Sequence, residues 1–286
     1  MSDLAYLAPS SPEEASRALA ASGAWPLSGG TDLLVQLRAG RVKPAAIVDL
    51  KRVAGAIGIR SEGGGFVIGA STSGALLGEN AALVRAWPGI VEGANLIGST
   101  QVQGRASLAG NLCNASPAAD GVPALVAARA TCVIVGPNGR REAPVEAIVT
   151  GPGKTSLAQG EFILEFRLPP RPARASDAYL RLIPRTEMDI AVAGAGVNLV
   201  LDAAGVVTEA NVALGAVAPT VLHVVEAGQA LVGSKLDEAS LAAMEAAVRA
   251  ACRPISDKRG TVEYRTKIAG VLARRAALIA YDRAGA

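Results

Sequence analysis

Two glycine-rich segments carry the residues whose types and spacing best suit a chemical task. The first runs from Ser28 to Leu33, with Gly29 and Gly30 between a strand pattern and a helix pattern. Adjacent glycines let the backbone bend tightly, and the N–H groups that open the next helix have no partner inside that helix. Such a segment can bind a phosphate or pyrophosphate group. An ordinary strand-to-helix turn with Thr31 or Asp32 as its N-cap is the alternative interpretation.

The second segment runs from Ser107 to Asn111 and continues through Asn114 and Ser116 to Asp120. Its small residues admit a close approach of the backbone, its amides and hydroxyl are neutral donors, and Asp120 is an acceptor. A loop of this composition can hold a polar ligand through its main chain and short side chains. A surface Ω-loop, in which these side chains satisfy their own backbone, is the alternative.

The remaining candidates for catalysis are weaker. His223 is the only histidine, so any Ser-His-Asp triad would have to use it, but it lies in an apolar stretch that reads as helical and favours a structural role. Cys113 lies in the second segment and could be a thiol nucleophile. Since no histidine is near it in sequence, a small packing residue is the better interpretation.

Two further glycine motifs fail as nucleotide sites. The segment from Gly151 to Thr155 resembles a P-loop, but Ile148 stands where that motif needs its first glycine. Gly194 and Gly196 resemble the start of a dinucleotide fingerprint, but Leu199 replaces its third glycine within a continuous strand pattern. With no proton-transfer or covalent machinery evident, the sequence favours a protein that holds a cofactor and lets it do the chemistry.

These segments are placed by an alternation of helix and strand patterns. The first half predicts a helix beginning at Ser11, strands at Ala24–Leu27 and Ala45–Leu50, and a helix at Asp32–Arg38. Residues Gly98–Asp120 have neither period, and Pro169–Ala175 is the best domain boundary. The second half predicts three strands (Tyr179–Ile183, Ile190–Leu201, Val206–Val217) and two helices (Asp237–Cys252 and residues 262–281).

Composition excludes several classes of function. A length of 286 residues suggests about two domains. One histidine and three scattered cysteines cannot form a His-rich metal site or a cysteine-ligated cluster. A net charge of +3 with 3% aromatic residues does not favour nucleic-acid binding. We see no signal peptide and no membrane span, so we expect a cytoplasmic protein.

The motifs, taken in order along essentially the whole chain, resemble the FAD-binding medium subunit of the molybdenum hydroxylases, the family of xanthine dehydrogenase and carbon monoxide dehydrogenase. The family's first loop, A-G-G-(H/T)-(S/D), is matched from Ser28 to Asp32, and its second, T-I-G-G-N, from Ser107 to Asn111. Other family-typical features follow in order: Ser116-Pro117, Asp120, Gly151–Thr155, Met188–Ala191 and Arg259-Gly260 with Glu263–Arg265.

The resemblance implies an α+β fold. Residues 1–170 are expected to form an FAD-binding domain of the PCMH type, with two α/β subdomains at about 1–54 and 55–170. Residues 176–286 are expected to form a C-terminal domain of the carbon monoxide dehydrogenase flavoprotein type, with a three-stranded antiparallel sheet and helices.

The resemblance also implies a function in electron transfer. A large subunit with the molybdopterin cofactor oxidises the substrate, and a small iron-sulfur subunit relays electrons through two 2Fe-2S clusters. FAD on this subunit passes them to an external acceptor, and the complex is expected to be a dimer of heterotrimers. No metal site and no catalytic residue are expected on this chain. Thr31-Asp32, where carbon monoxide dehydrogenases tend to have His-Ser, favours a xanthine-dehydrogenase-like oxidation of a heterocycle or aldehyde.

The cofactor site implied by the resemblance brackets the FAD pyrophosphate between the two loops. Ile97, Ile163 and Arg181 are expected at the flavin ring, and Asp120 at the ribose or adenine. The predicted FAD-binding residues are Ser28, Gly29, Gly30, Thr31, Asp32, Leu33, Ile97, Ser107, Leu108, Ala109, Gly110, Asn111, Asp120, Ile163 and Arg181.

Two positions depart from the family pattern. Ser28 stands in place of alanine, and Ala109 in place of the first glycine of the second loop, which requires a negative φ or a small backbone shift at Ala109. Two other functions stay open: a stand-alone FAD-dependent reductase on a related fold, and a flavin-free scaffold subunit, which Ala109 alone favours.

Overall fold

The chain begins with a small parallel sheet. The computed structural model describes residues 4–286, and its first elements are β1 (Ala5–Leu7), α1 (Pro12–Ala20), β2 (Ala24–Leu27), α2 (Leu33–Arg38) and β3 (Ala46–Asp49). The strand order is β1-β3-β2. Helix α1 begins where the sequence predicted, because Ser11 and Glu14 form a capping box and Pro12 occupies the first turn. Its buried face packs Ala15 and Leu19 against Val48.

A larger antiparallel sheet follows. Its strands are β4 (Ile59–Glu62), β5 (Gly65–Gly69), β6 (Thr131–Gly136), β7 (Gly139–Pro144) and β10 (Phe162–Leu168), in the order β4-β5-β10-β6-β7. A separate two-stranded hairpin consists of β8 (Val149–Gly151) and β9 (Lys154–Thr155). The helices inserted between β5 and β6 are α3 (Gly74–Glu79), α4 (Ala81–Ala86), α5 (Pro88–Asn95), α6 (Thr100–Gln103), α7 (Leu108–Cys113) and α8 (Gly121–Ala127). Two 3-10 helices lie at Leu50–Arg52 and Val145–Ala147.

The prediction of an irregular segment from Gly98 to Asp120 was only partly right. The segment contains α6 and α7, of four and six residues. Helices this short show less than two turns, so they leave no readable period in the sequence. Their caps come from the same serines and asparagines that made the segment look like a loop, such as Ser107 at the start of α7.

The C-terminal part is built on a sheet with four antiparallel strands. Its elements are β11 (Ala175–Leu182), β12 (Ala193–Leu201), β13 (Val207–Gly215), β14 (Leu222–His223), α9 (Val225–Gln229), α10 (Glu238–Ala251) and α11 (Val262–Gly285). The strand order is β11-β12-β13-β14. The expectation of three strands was wrong, because β14 has two residues, too few for alternation to be visible, and its apolar surroundings read as helical.

Helix α11 packs across β11 and β12 through small residues. Alanines at 269, 273, 276, 277, 280 and 284 are buried on one side of the helix and face the sheet's Ala193 and Ala195 in one core cluster. Their spacing of three and four residues places them along a single stripe. The small side chains let the helix lie close to the sheet, which explains how a domain poor in aromatic residues closes its core.

The two parts of the chain are packed directly against one another. Helix α8 lies on β12 and β13, where a Cβ at Gly196 would come within 2.8 Å of the Pro123 carbonyl oxygen and one at Gly215 within 2.9 Å of the Pro123 ring. The Gly194–Gly196 motif therefore serves this close approach in a strand and opens no dinucleotide-binding turn. No helix among residues 4–286 is long and apolar enough to cross a membrane.

Candidate functional site

The first glycine loop, from Ser28 to Leu33, connects β2 to α2 as the sequence predicted. Gly30 has a φ of +78°, a conformation that favours glycine. A Cβ at Gly29 would lie 1.8 Å from the carbonyl oxygen of Arg105, so only glycine fits there. Since Arg105 comes just before the second loop, Gly29 lies in close contact with the beginning of that loop.

The second loop leads into α7. Ser107 is its N-cap and accepts a hydrogen bond from the Gly110 N–H through its hydroxyl, at 3.2 Å. Ala109 lies inside the helix and is not among the residues with positive φ, so alanine fits its backbone without strain. The amide oxygen of Asn111 accepts from the Gly121 N–H at 2.9 Å and ties α7 to the start of α8.

The two loops border a cleft of about 380 Å³. Most of the predicted cofactor-binding residues line it: Ser28, Gly29, Gly30, Thr31, Asp32, Leu33, Ile97, Ser107, Ala109, Gly110, Asn111 and Ile163. Leu108, the first residue of α7, is buried, and neither Asp120 nor Arg181 is part of the lining. Within the described chain, twelve of the fifteen predicted residues thus meet at the cleft.

Sequence reasoning missed one wall of the cleft. It comes from the end of β2, from Ala70 and Ser71 after β5, from Thr155 and from residues 157–162. The first of these could have been found, because Trp25, Pro26 and Leu27 come directly before the glycine loop. The other two are brought in by the order of the large sheet, where β10 pairs with both β5 and β6, and no local motif marks that pairing.

The cleft offers main-chain donors in place of charged side chains. Among residues 4–286, the backbone N–H groups of Gly29, Gly30, Thr31, Asp32 and Ala109 have no hydrogen-bond acceptor. All five residues line the cleft. A set of free N–H groups at the beginnings of two helices is the arrangement that binds an anionic oxygen group. Asp32 occupies the N-cap position of α2, as the alternative interpretation of the first loop had it, but makes no side-chain cap hydrogen bond. The second loop leads into helix α7, capped by Ser107, and is not a simple Ω-loop. Neither cap removes these donors.

A second polar cluster lies where β11 meets α8. Arg181 donates to Asp120 at 2.5 Å, and the Tyr179 hydroxyl donates to the other carboxylate oxygen at 3.0 Å. Burial raises the pKa of Asp120 to about 6, although Arg181 and Tyr179 act in the opposite direction. The Arg181 Nε is buried without a partner among the described residues. Asp120 and Arg181 are thus paired with each other outside the lining of the cleft, and their predicted contacts with FAD stay predictions.

The other candidate groups have structural roles. Burial raises the pKa of the Cys113 thiol to about 12, so no thiolate forms near neutral pH. His223 is half-buried in β14, and its ring nitrogens bond to Arg129 and Asn211. The segment from Gly151 to Thr155 is the β8–β9 hairpin with Gly153 at a φ of +70°, and no helix follows it. No group of three or more potential metal ligands occurs in the part of the chain that the structure describes.

The family-typical motifs at the C-terminal end hold the fold together. Asp189 pairs with Arg259 at 3.2 Å, so the Met188–Ala191 segment and the Arg259-Gly260 segment meet. Arg265 is buried at the start of α11, where it donates to the Val192 carbonyl and to Asp257, both at 2.7 Å. These residues fix the connection between β11 and β12 and do not line the cleft.

The geometry fits a dinucleotide with a diphosphate. The free N–H groups and the close contact at Gly29 suit two phosphates lying between the loops, and Ile97 and Ile163 supply apolar walls for a planar ring. The nearest carboxylates do not oppose this, since Glu161 is paired with Arg141 at 2.7 Å and Asp32 is exposed.

Comparison with known proteins gives a consistent result. Residues 2–171 match the model of the FAD binding domain in molybdopterin dehydrogenase, and residues 178–280 match the carbon monoxide dehydrogenase flavoprotein C-terminal domain. The chain is 37% identical over 261 residues to the carbon monoxide dehydrogenase medium chain of Afipia carboxidovorans, covering 91% of this chain and 89% of that one. It is 31% identical over 261 residues to a putative xanthine dehydrogenase FAD-binding subunit of Escherichia coli, with the same coverage.

The fold is shared with solved structures. A chain of the reconstituted carbon monoxide dehydrogenase from Oligotropha carboxidovorans superposes with a TM-score of 0.93 at 34% identity, covering 98% of both chains.

Proposed function

Because the chain belongs to the family of FAD-binding medium subunits of the molybdopterin dehydrogenases, we propose that it holds FAD in the cleft between its two glycine loops. The observation that carries this proposal is the convergence of free main-chain N–H groups from two loops 79 residues apart, joined at Gly29. FAD, once bound, supplies the redox chemistry, since its ring accepts and releases electrons.

The chain's own residues contribute binding, orientation and exclusion of water. In this proposal the N–H groups of Gly29 to Asp32 and of Ala109 hold the diphosphate, and the buried side chain of Leu108 anchors α7 in the core. Ile97 and Ile163 lie against the flavin ring. The buried Asp120–Arg181 pair is polar and only partly satisfied, so it suits a polar edge of the cofactor where the two domains meet.

The proposal extends to the whole complex. Residues 1–170 form the FAD-binding domain and residues 176–286 the C-terminal domain. Electrons reach this subunit from the two 2Fe-2S clusters of a small iron-sulfur subunit, and a large subunit with the molybdopterin cofactor oxidises the substrate. The three subunits form a dimer of heterotrimers, and the electrons leave from FAD to an external acceptor.

The substrate class depends on the large subunit. Thr31-Asp32 favours a xanthine-dehydrogenase-like substrate, whereas the overall identity is higher to the carbon monoxide dehydrogenase medium chain than to the xanthine dehydrogenase subunit. Neither Thr31 nor Asp32 would touch a substrate bound on another subunit. The two residues therefore cannot select the substrate by direct contact. The sequence of the co-purifying large subunit would identify the substrate class.

A visible absorption spectrum of the purified complex tests the proposal. We expect flavin bands with about one FAD per copy of this chain. We also expect two partner subunits to co-purify, a large one that carries molybdenum and a small one that carries iron. Flavin bands without any partner subunit would support a stand-alone reductase. An intact complex without flavin bands would support the flavin-free scaffold. Ala109 was the one residue that favoured the scaffold, and it no longer does, because alanine fits the helical backbone there.

A further inference from the structure

An exposed tryptophan borders the cleft on strand β2. Among the described residues, the lining contains two aromatic side chains, those of Trp25 and Phe162. Phe162 is buried at 2% exposure, whereas Trp25 is 39% exposed. An indole at the surface of a cleft can offer a flat apolar face to a ligand.

The position of Trp25 on β2 fixes its distance from the first glycine loop. Side chains two residues apart on a strand point to the same face, so Trp25 lies on the side of Leu27. The Leu27 side chain lies against the loop, because its Cδ1 would be 3.1 Å from a Cβ at Gly30. Trp25 lies about 7 Å farther back along the strand. The indole is therefore beyond the reach of the groups that the free N–H donors of the loop would bind.

The same end of the cleft is closed by residues 157–160, which belong to its lining. The Gln159 Nε2 donates to the carbonyl oxygens of Leu19 at 2.6 Å and Ala21 at 3.1 Å. A Cβ at Gly160 would come within 3.3 Å of the Ala20 side chain. Since α1 comes directly before β2 in the chain, these contacts hold the segment close to the strand that carries the indole.

The other end of the cleft lies toward the C-terminal part of the chain. A Cβ at Gly121 would be 3.7 Å from the Ile97 Cδ1, so Ile97 lies beside the start of α8, the helix that packs on β12 and β13. Trp25 belongs instead to the small N-terminal sheet, where it pairs with Ile47. The two glycine loops, in contact at Gly29, separate these ends.

We infer that Trp25 stacks on the adenine ring of FAD and thereby favours a dinucleotide over a flavin mononucleotide. This inference rests on the proposed function. With the flavin ring at Ile97 and the diphosphate between the loops, the adenosine half extends toward Trp25. Adenine is flat and uncharged, so an aromatic face suits it better than a charged side chain.

Flavin titrations of the full chain, freed of its flavin, test the inference. Trp25→Ala should weaken FAD binding about tenfold, as expected when a stacked base loses its aromatic partner. Trp25→Phe, which keeps an aromatic face, should retain most of the affinity. Tyr264→Ala is the matched control, because Tyr264 is an aromatic residue with 46% exposure on α11 that does not line the cleft.

A second flavin separates stacking on adenine from a general loosening of the site. FMN has the flavin ring and one phosphate without the adenosine, so Trp25→Ala should leave its affinity unchanged. The preference for FAD over FMN should therefore fall about tenfold in Trp25→Ala and persist in Trp25→Phe. Equal FAD affinity of wild type and Trp25→Ala, or equal losses for FAD and FMN, would overturn the inference. A wild-type chain that does not bind FAD at all would overturn the proposed function instead.

Discussion

At Gly29, the carbonyl oxygen of Arg105 occupies the space that a side chain would need. This contact holds the first loop against the second, together with the hydrogen bond between the Ser28 and Ser107 hydroxyls. It differs from the requirement at Gly30, where the positive φ sets the preference for glycine. The two neighbouring glycines thus serve different physical needs, although the sequence presents them as one motif.

We predict that Gly29→Ala weakens FAD binding about 5- to 150-fold, because overpacking of this kind costs about 1–3 kcal/mol. FAD titration monitored by flavin fluorescence gives the affinity. Gly104→Ala is the matched control in the same segment, since Gly104 has a helical φ and open space around its Cβ position. Equal losses in the two variants would contradict the assignment of Gly29 to the contact between the loops.

At the scale of elements, a carboxylate on strand β11 accepts a hydrogen bond from the first turn of helix α5. Asp177 on β11 accepts the Ile90 N–H at 3.2 Å and pairs with Arg171 at 3.2 Å. The Arg171 guanidinium in turn lies 3.8 Å from the centre of the Trp87 ring. A helix of the FAD-binding part is therefore capped by the C-terminal part, and burial raises the pKa of Asp177 to about 6.

We predict that Asp177→Ala lowers the free energy of unfolding by about 3–5 kcal/mol, because it leaves the largely buried charge of Arg171 without an opposite charge. Urea unfolding followed by circular dichroism measures the change. Glu62→Ala, which removes one partner of the exposed Arg60–Glu62 pair, should cost less than about 1 kcal/mol. A loss for Asp177→Ala as small as that control would show that the buried pair does not hold α5.

The elements also show what sequence reasoning can reach. Helix α1 was predictable because its capping box is local, and β12 and β13 because each has nine residues of readable pattern. The glycine loops were found because Gly29 and Gly30 stand together between clear elements. Strand β14 and the contact of Asp120 with Arg181 were not found, since both depend on residues that only the tertiary fold brings together.

At the scale of the whole molecule, His223 joins the two domains as a neutral ring. Its Nδ1 lies 3.0 Å from the Arg129 guanidinium, which can only donate, so Nδ1 accepts and carries no proton. Its Nε2–H donates to the Asn211 oxygen at 3.2 Å, because the Asn211 amide nitrogen already donates to Glu209. Burial and the nearby Arg129 charge lower the pKa of His223, while Glu146 and Glu226 act in the opposite direction.

The lowered pKa of His223 gives stability a pH dependence of definite sign. The unfolded chain binds a proton at His223 near its ordinary pKa of 6.5, whereas the folded chain resists it. The contribution is therefore present above 6.5 and is lost as the pH falls through the lower, folded value. The variant His223→Asn keeps an acceptor for Arg129 but does not titrate. We predict that the wild type loses stability relative to this variant as the pH falls from about 7.5 to about 5.

Thermal unfolding of both proteins across that range measures the difference. Comparing the two proteins removes the contributions of Asp120 and Asp177, whose raised pKa values act on both proteins alike. A difference in stability that stays constant with pH would show that His223 does not titrate at this contact.

The alanine stripe of α11 has a consequence for the entropy of folding. An alanine side chain has no rotamers to lose, so burying six of them against the sheet costs almost no side-chain entropy beyond that of ordering the backbone. A core of leucines at these positions would bury more apolar area and would also immobilise each side chain. The C-terminal domain thus relies on a short distance between helix and sheet. A larger side chain in place of one alanine would push the helix away from the sheet and loosen the contacts of the other alanines too.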